Sequence, residues 1–207
     1  MVGKVCFSDA KYLIGAAEIK GLPKNSGGEV AFIGRSNAGK SSALNTITGI
    51  KGLARTSSTP GRTQMMHFFD LGHDCRLVDL PGYGYAKVPK PIKEKWQRVT
   101  NEYLETRGCL QGLVLVMDIR HPLKEQDWNI IAWTAEWDLP CHILLTKADK
   151  LKPNKARMAL QQTVAQLERF DLVSVDVFSS QNKLGLAEAR SVIDDWFDLD
   201  DEEDGDV

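Results

Sequence analysis

The 207-residue chain has little that would hold it together by disulfides or metal, or carry it into a membrane. Its four cysteines, Cys6, Cys75, Cys109 and Cys141, are scattered and include no Cys-x-x-Cys pair. That excludes a disulfide framework or zinc knuckle and suits buried, reduced thiols in a cytosolic protein. The four histidines, His67, His73, His121 and His142, lack ligand spacing and are expected to be structural. No apolar run approaches the ~20 residues of a membrane-spanning helix. Lys4, Asp9, Lys11, Glu18 and Lys20 interrupt every apolar stretch of the N-terminus, so it does not read as a signal peptide. There is no internal repeat. With 43% apolar residues, the chain can bury a full core as one domain.

What is present is a set of four motifs. Gly34-Arg35-Ser36-Asn37-Ala38-Gly39-Lys40-Ser41 follows the apolar strand Glu29–Ile33 and opens into the helical start Ser42–Ile47. This is the strand–loop–helix context of a phosphate-binding loop. Asp79-Leu80-Pro81-Gly82 follows Cys75–Val78, Thr146-Lys147-Ala148-Asp149 follows Cys141–Leu145, and Phe178-Ser179-Ser180 ends Val173–Val177. Each motif stands where an apolar strand runs out, the position at which an open parallel sheet binds ligands. Together and in this order they indicate a guanine-nucleotide site.

The residue types fit that chemistry. Loop N–H groups and the helix N-terminus cradle phosphate oxygens, Lys40 reaches the β- and γ-phosphates, and the Ser41 hydroxyl ligates magnesium. Asp79 is expected to hold Mg²⁺ through a water, and the Gly82 N–H to meet the γ-phosphate. Asp149 accepts two hydrogen bonds from the guanine N1–H and 2-amino group, and adenine has neither donor there. A site built on such pairing discriminates by roughly 10⁴–10⁵. Lys147 is expected along the base plane, with the Ser179-Ser180 turn facing O6.

The pattern predicts an α/β fold: a P-loop NTPase with a doubly wound, mostly parallel sheet of about six strands and helices on both faces. Leu113–Met117 reads as a buried central strand. Ile92, Trp96, Val99 and Tyr103 recur at helical spacing, as do Ala156, Leu160, Val164 and Leu167, and Pro153 starts the second of these helices. Trp128, Trp133 and Trp137 are expected to pack a helix over 124–137. Residues 1–28 are expected as an extension packing on the domain, 29–197 as the nucleotide-binding domain, and 198–207 as a disordered acidic tail.

Charge is unevenly placed. Residues 191–207 hold nine acids and no Lys or Arg, leaving 26 bases against 19 acids, net +7, over residues 1–190. Lys87, Lys90, Lys93, Lys95 and Arg98 stand against Glu94 alone, and Lys51, Arg55 and Arg62 follow the phosphate loop. A basic body suggests a polyanionic partner such as RNA, although an ordinary solvated helix face would also carry such charges.

Gly34–Ser42, Thr59-Pro60-Gly61-Arg62-Thr63-Gln64 and Asp79-Leu80-Pro81-Gly82-Tyr83-Gly84-Tyr85-Ala86 closely resemble the EngB (YihA/YsxC) family of bacterial-type GTPases, over about residues 20–197. The resemblance implies that Thr63 joins Ser41 and Asp79 on magnesium. The residues alone leave Thr56, Ser58 and Thr59 equally open for that role. It also implies that Gly61, Arg62, Thr63, Gln64 and Met65 touch the nucleotide, and that the setting is assembly of the large (50S) ribosomal subunit on its rRNA. Lys40, Thr63 and Gly82 are then the expected catalytic contacts on GTP, which is turned over to GDP and phosphate.

Tyr83 follows Gly82 where regulatory GTPases carry a water-orienting glutamine, so intrinsic hydrolysis is expected to be slow. Asn37 either ligates K⁺ beside the phosphates, as in other GTPases lacking that glutamine, or simply favours the turn. Arg35 as a finger in cis is a weaker alternative. A monomer with no membrane partner is expected. A switch acting on another RNA or on a membrane partner is the runner-up, ahead of a metabolic kinase or a non-hydrolysing scaffold.

Overall fold

The computed structural model describes residues 5–54, 65–84 and 90–197, with Lys90, Ile92, Lys93, Lys95 and Trp96 described in their backbone only. Seven strands form one sheet: β1 (Lys11–Ala16), β2 (Gly28–Gly34), β3 (Met66–Asp70), β4 (Cys75–Asp79), β5 (Leu110–Asp118), β6 (Cys141–Thr146) and β7 (Val173–Val177). Their order is β1-β3-β4-β2-β5-β6-β7. The five strands from β4 to β7 are parallel, whereas β3 runs antiparallel to β4, and β1 to β3.

Parallel neighbours need long crossovers, and helices supply them. The helices are α1 (Lys40–Thr48), α2 (Lys90–Thr106), α3 (Glu125–Glu136), α4 (Pro153–Leu167) and α5 (Leu186–Trp196). All seven residues of β2 are buried, as expected for a strand covered on both faces. Val30 and Phe32 face one core with Leu44 and Ile47 of α1 and Ile193 of α5. Ala31 and Ile33 face the other with Tyr103 of α2, Ile131 of α3 and Leu167 of α4. The chain leaves β2 toward β4 on one side and returns to β5 on the other. The crevice of the doubly wound sheet therefore opens at the C-terminal end of β2.

The seventh strand is β1, from the stretch expected to pack on the domain as an extension. It joins the sheet as an edge strand. Its register shifts between Tyr12 and Ile14, and Tyr12, Leu13 and Ile14 are all exposed. A bulge beside an open edge erases the period-two signal by which strands are recognised.

Two helix expectations need correction. Trp128 and Trp133 pack against the core, but Trp137 is 54% exposed and only leans on Trp133, with ring centroids 6.2 Å apart. It occupies the C-cap, where the helix no longer dictates a buried face. On α4 the buried stripe is Ala156, Thr163 and Leu167, and Val164 is exposed. Thr163 replaces it because its hydroxyl donates to the Ala159 carbonyl (2.8 Å), which satisfies the polar atom within the helix.

At the N-terminal end of β2 sits a fully buried carboxylate, Glu29. Arg107 donates to it through Nε (2.8 Å) and Nη2 (2.5 Å), Arg76 through Nη1 (3.2 Å) and Tyr103 through its hydroxyl (2.9 Å). The same arginines bond the Pro23, Lys24 and Ser26 carbonyls, clamping the lead-in to β2. Buried charge is tolerable when it is paired and hydrogen-bonded in this way.

Candidate nucleotide-binding site

The opposite end of β2 carries the phosphate loop. Gly39 stands at the N-cap of α1 with φ +100°, a backbone that L side chains rarely adopt. No side chain caps this helix, so its first N–H groups remain available to an anion. The loop is held from behind by the Thr146–Asp149 segment. Thr146 Oγ1 donates to the carbonyls of Ala38 and Met117 (2.9 Å to Met117), and Lys147 Nζ donates to the Asn37 carbonyl (2.6 Å). Asn37 is exposed with φ +63°, a left-handed turn that asparagine adopts more readily than most residues.

Parallel register places Asp79 beside Phe32 of β2, which brings Asp79 into an ion pair with Lys40. Both side chains are nearly buried, at 9% and 13% exposure. Ser41, the second expected magnesium ligand, is half-buried one residue along. The backbone then runs through Leu80, whose N–H donates to the Phe32 carbonyl (3.0 Å), into half-buried Pro81 and Gly82.

The base end is assembled from β6 and β7. Ser179 Oγ donates to Asp149 Oδ1 (2.7 Å), and Lys150 pairs with Oδ2 (3.0 Å). These two contacts, the serine's first, lower the Asp149 carboxyl below its ordinary range and keep it an acceptor. The Ala148 N–H bonds the Phe178 carbonyl (3.2 Å), locking the two strand ends together. Phe178, Leu80, Ala38 and Ala148 have buried side chains, so they reach the site through backbone alone. Ser180 is half-buried beside them.

The structure thus joins Gly34–Ser41, Asp79–Gly82, Thr146–Asp149 and Phe178–Ser180 along one edge. Met65 stands exposed at the head of β3. Gly61, Arg62, Thr63 and Gln64 lie outside the described residues, as do Lys87, Arg55 and the acidic tail 198–207.

Sequence reasoning missed Asp118. It ends β5 and takes three bonds from Arg120, through the backbone N–H (3.1 Å), Nε (2.9 Å) and Nη2 (2.6 Å), and one ion pair from Lys147 (3.0 Å). Arg120 first, then Lys147, hold its carboxyl well below the usual carboxylate range. Asp118 therefore orients Lys147 across the phosphate loop. The available signal was a carboxylate directly after the apolar run Leu113–Met117. Tyr83 was flagged only for what it is not. Its phenol donates to Asp127 Oδ1 of α3 (2.6 Å). Burial, and then the Asp127 charge, push its pKa up, so it stays a protonated donor.

Comparisons with known proteins agree with this geometry. Residues 29–147 match the family described as "50S ribosome-binding GTPase". The chain is 55% identical over 192 residues to a probable GTP-binding protein EngB of Coxiella burnetii, covering 92% of this chain and 94% of that protein. A protein of the same description from Francisella tularensis is 53% identical over 194 residues, covering 92% and 98%. A crystal structure of a probable GTP-binding protein EngB superposes with a TM-score of 0.66 at 21% identity, covering 82% of this chain and 98% of that one, and supports the fold. Built on that fold and sharing more than half its residues with those relatives, the chain belongs to the EngB family of GTP-binding proteins and is a GTPase.

Proposed function

We propose that this GTPase is a nucleotide-gated switch in assembly of the large (50S) ribosomal subunit, hydrolysing GTP slowly to GDP and phosphate. The observation that carries the nucleotide part is the row of three contacts, Asp149–Ser179, Lys147–Asn37 and Lys40–Asp79, that ties the four motifs together at the C-terminal ends of the strands. The ribosomal part is supported by the description of the matching family and by the net positive charge of residues 1–190.

In this reading Lys40 exchanges Asp79 for the β- and γ-phosphates, and the N–H groups of 39–41 and Gly82 stabilise charge on the γ-oxygens. Thr63 is proposed to complete the site. Ser41 and Asp79 fit a hard cation that keeps waters and takes its other ligands from phosphate. Among the described residues no group of three or more His, Cys, Asp or Glu could hold a metal by itself. Magnesium would supply charge neutralisation between the phosphates. The Tyr83 phenol, committed to Asp127, is not offered as the base for the attacking water. K⁺ at Asn37 is the finer proposal; replacing Na⁺ by K⁺ should then accelerate hydrolysis, and an unchanged rate returns Asn37 to its turn role. Among the described residues no helix is long and apolar enough to cross a membrane.

Co-sedimentation with separated 30S and 50S particles, in GDP and in a non-hydrolysable GTP analogue, tests the assignment. Binding to 50S with the analogue alone is expected. Equal binding in both states, or to neither particle, removes the switch role.

A further inference from the structure

Tyr83 ties three parts of the molecule together. Its N–H donates to the Gly34 carbonyl (3.2 Å) and its carbonyl accepts from the Ser36 N–H (2.8 Å), so its backbone is stitched to the phosphate loop. Its hydroxyl ends on Asp127 (2.6 Å), which is fully buried and whose other oxygen accepts the Lys124 N–H (2.8 Å) at the start of α3. Gly82 precedes it and Gly84, at φ +77°, follows it, so a glycine flanks it on each side. The ring borders a cavity of about 350 Å³ between α2 and α3, lined also by Gln97, Asn101 and Gln126. A ring released from Asp127 would turn toward that cavity, giving up part of its packing against the core.

We infer that the Tyr83–Asp127 hydrogen bond is a latch that holds the residue after Gly82 against α3 and is released when the Gly82 N–H engages a γ-phosphate. Tyr83 is then a positioning residue that sets the preference between GDP and GTP. This rests on the reading that the Gly82 N–H meets the γ-phosphate. Drawing Gly82 toward phosphate pulls on a residue fixed by two backbone bonds and one bond to a buried carboxylate. Breaking the last leaves the buried Asp127 carboxylate with the Lys124 N–H on its other oxygen, so the latched state is favoured until γ-phosphate contacts exceed that cost. A ligand shifts such an equilibrium only through its differential affinity for the two states. The latch therefore weakens GTP binding and leaves GDP binding alone. It also reports the nucleotide to α3, outside the site.

The test compares dissociation constants for GDP and a non-hydrolysable GTP analogue in the full chain. Tyr83→Phe should bind the analogue about tenfold more tightly, the lower end of what a hydrogen bond to a charged group is worth, with GDP changed by less than about twofold. Asp127→Asn should move the ratio the same way. Tyr103→Phe removes an equivalent hydroxyl–carboxylate bond, to Glu29, and should lower Tm while leaving the ratio fixed. An unchanged ratio in Tyr83→Phe overturns the latch, as does equal weakening of both nucleotides or an equal ratio shift in Tyr103→Phe. If the unaltered chain binds neither nucleotide, the proposed function fails instead.

Discussion

Two tyrosine–carboxylate bonds stand at opposite ends of β2, and they are built differently. At the N-terminal end of β2, Tyr103 is one of three side chains that give Glu29 four hydrogen bonds. At the C-terminal end, Tyr83 meets Asp127 through one bond, with one backbone N–H on the remaining oxygen. The first arrangement is saturated, so any movement breaks several charge-assisted bonds at once. The second can open by losing one. A sheet with one end fixed and the other sparsely tied has the mechanical asymmetry that a switch requires.

Changes at each end should have different readouts. If Asp149 accepts the two guanine donors as proposed, Asp149→Asn removes that acceptance and costs about 3–6 kcal/mol of GDP binding. Xanthine nucleotides should gain, while urea stability stays nearly unchanged; retained guanine specificity would break the base-recognition argument. Glu29→Ala should do the reverse, leaving Arg107 buried without its carboxylate and Arg76 paired with Asp74. The expected loss is about 3–5 kcal/mol of folding stability, read from the urea midpoint, with the GDP-to-GTP affinity ratio unchanged in whatever fraction folds.

A pH titration sharpens the contrast further. His142 lies fully buried near the start of β6, its Nδ1 on Ser174 Oγ (2.7 Å) and its Nε2 3.7 Å from Asp176, too far for a hydrogen bond. Burial lowers its pKa from 6.5 to about 4. The unfolded chain therefore takes up this proton first as pH falls. Its contribution is complete above about pH 6.5 and is lost progressively down to about pH 4, amounting to about 2 kcal/mol at pH 5. His142→Gln should flatten that part of the stability–pH curve, and an undiminished slope would assign it to other groups. The smallest effect is expected for Trp137→Ala, within about 0.5 kcal/mol in urea unfolding, because the ring is half in water.

The site was legible because each motif carries its chemistry locally and lies at a strand end. Lys40, Asp79 and Asp149 sit where strand–loop spacing placed them, and the parallel sheet brought them together. Asp118 escaped notice because a single carboxylate after a strand belongs to no pattern until Arg120 and Lys147 are seen around it. The partners of Glu29 come from positions 47 to 78 residues away, and Asp127 is 44 residues from Tyr83. No local spacing encodes such pairs. The fold was legible where strands were buried on both faces, and illegible at β1, where a bulge and an open edge leave no alternation.

That edge strand also sets an order of events. Among the described residues Lys11–Ala16 pairs with Met66–Asp70 alone, so β1 waits for a partner made about fifty residues later. At ~5–20 residues per second the delay is on the order of 3–10 s. During it Tyr12, Leu13 and Ile14 travel as an unpaired apolar stretch. The β1–β3 pairing therefore closes only after a loop of about fifty residues has been made, yet before any strand of the parallel core beyond β3 exists.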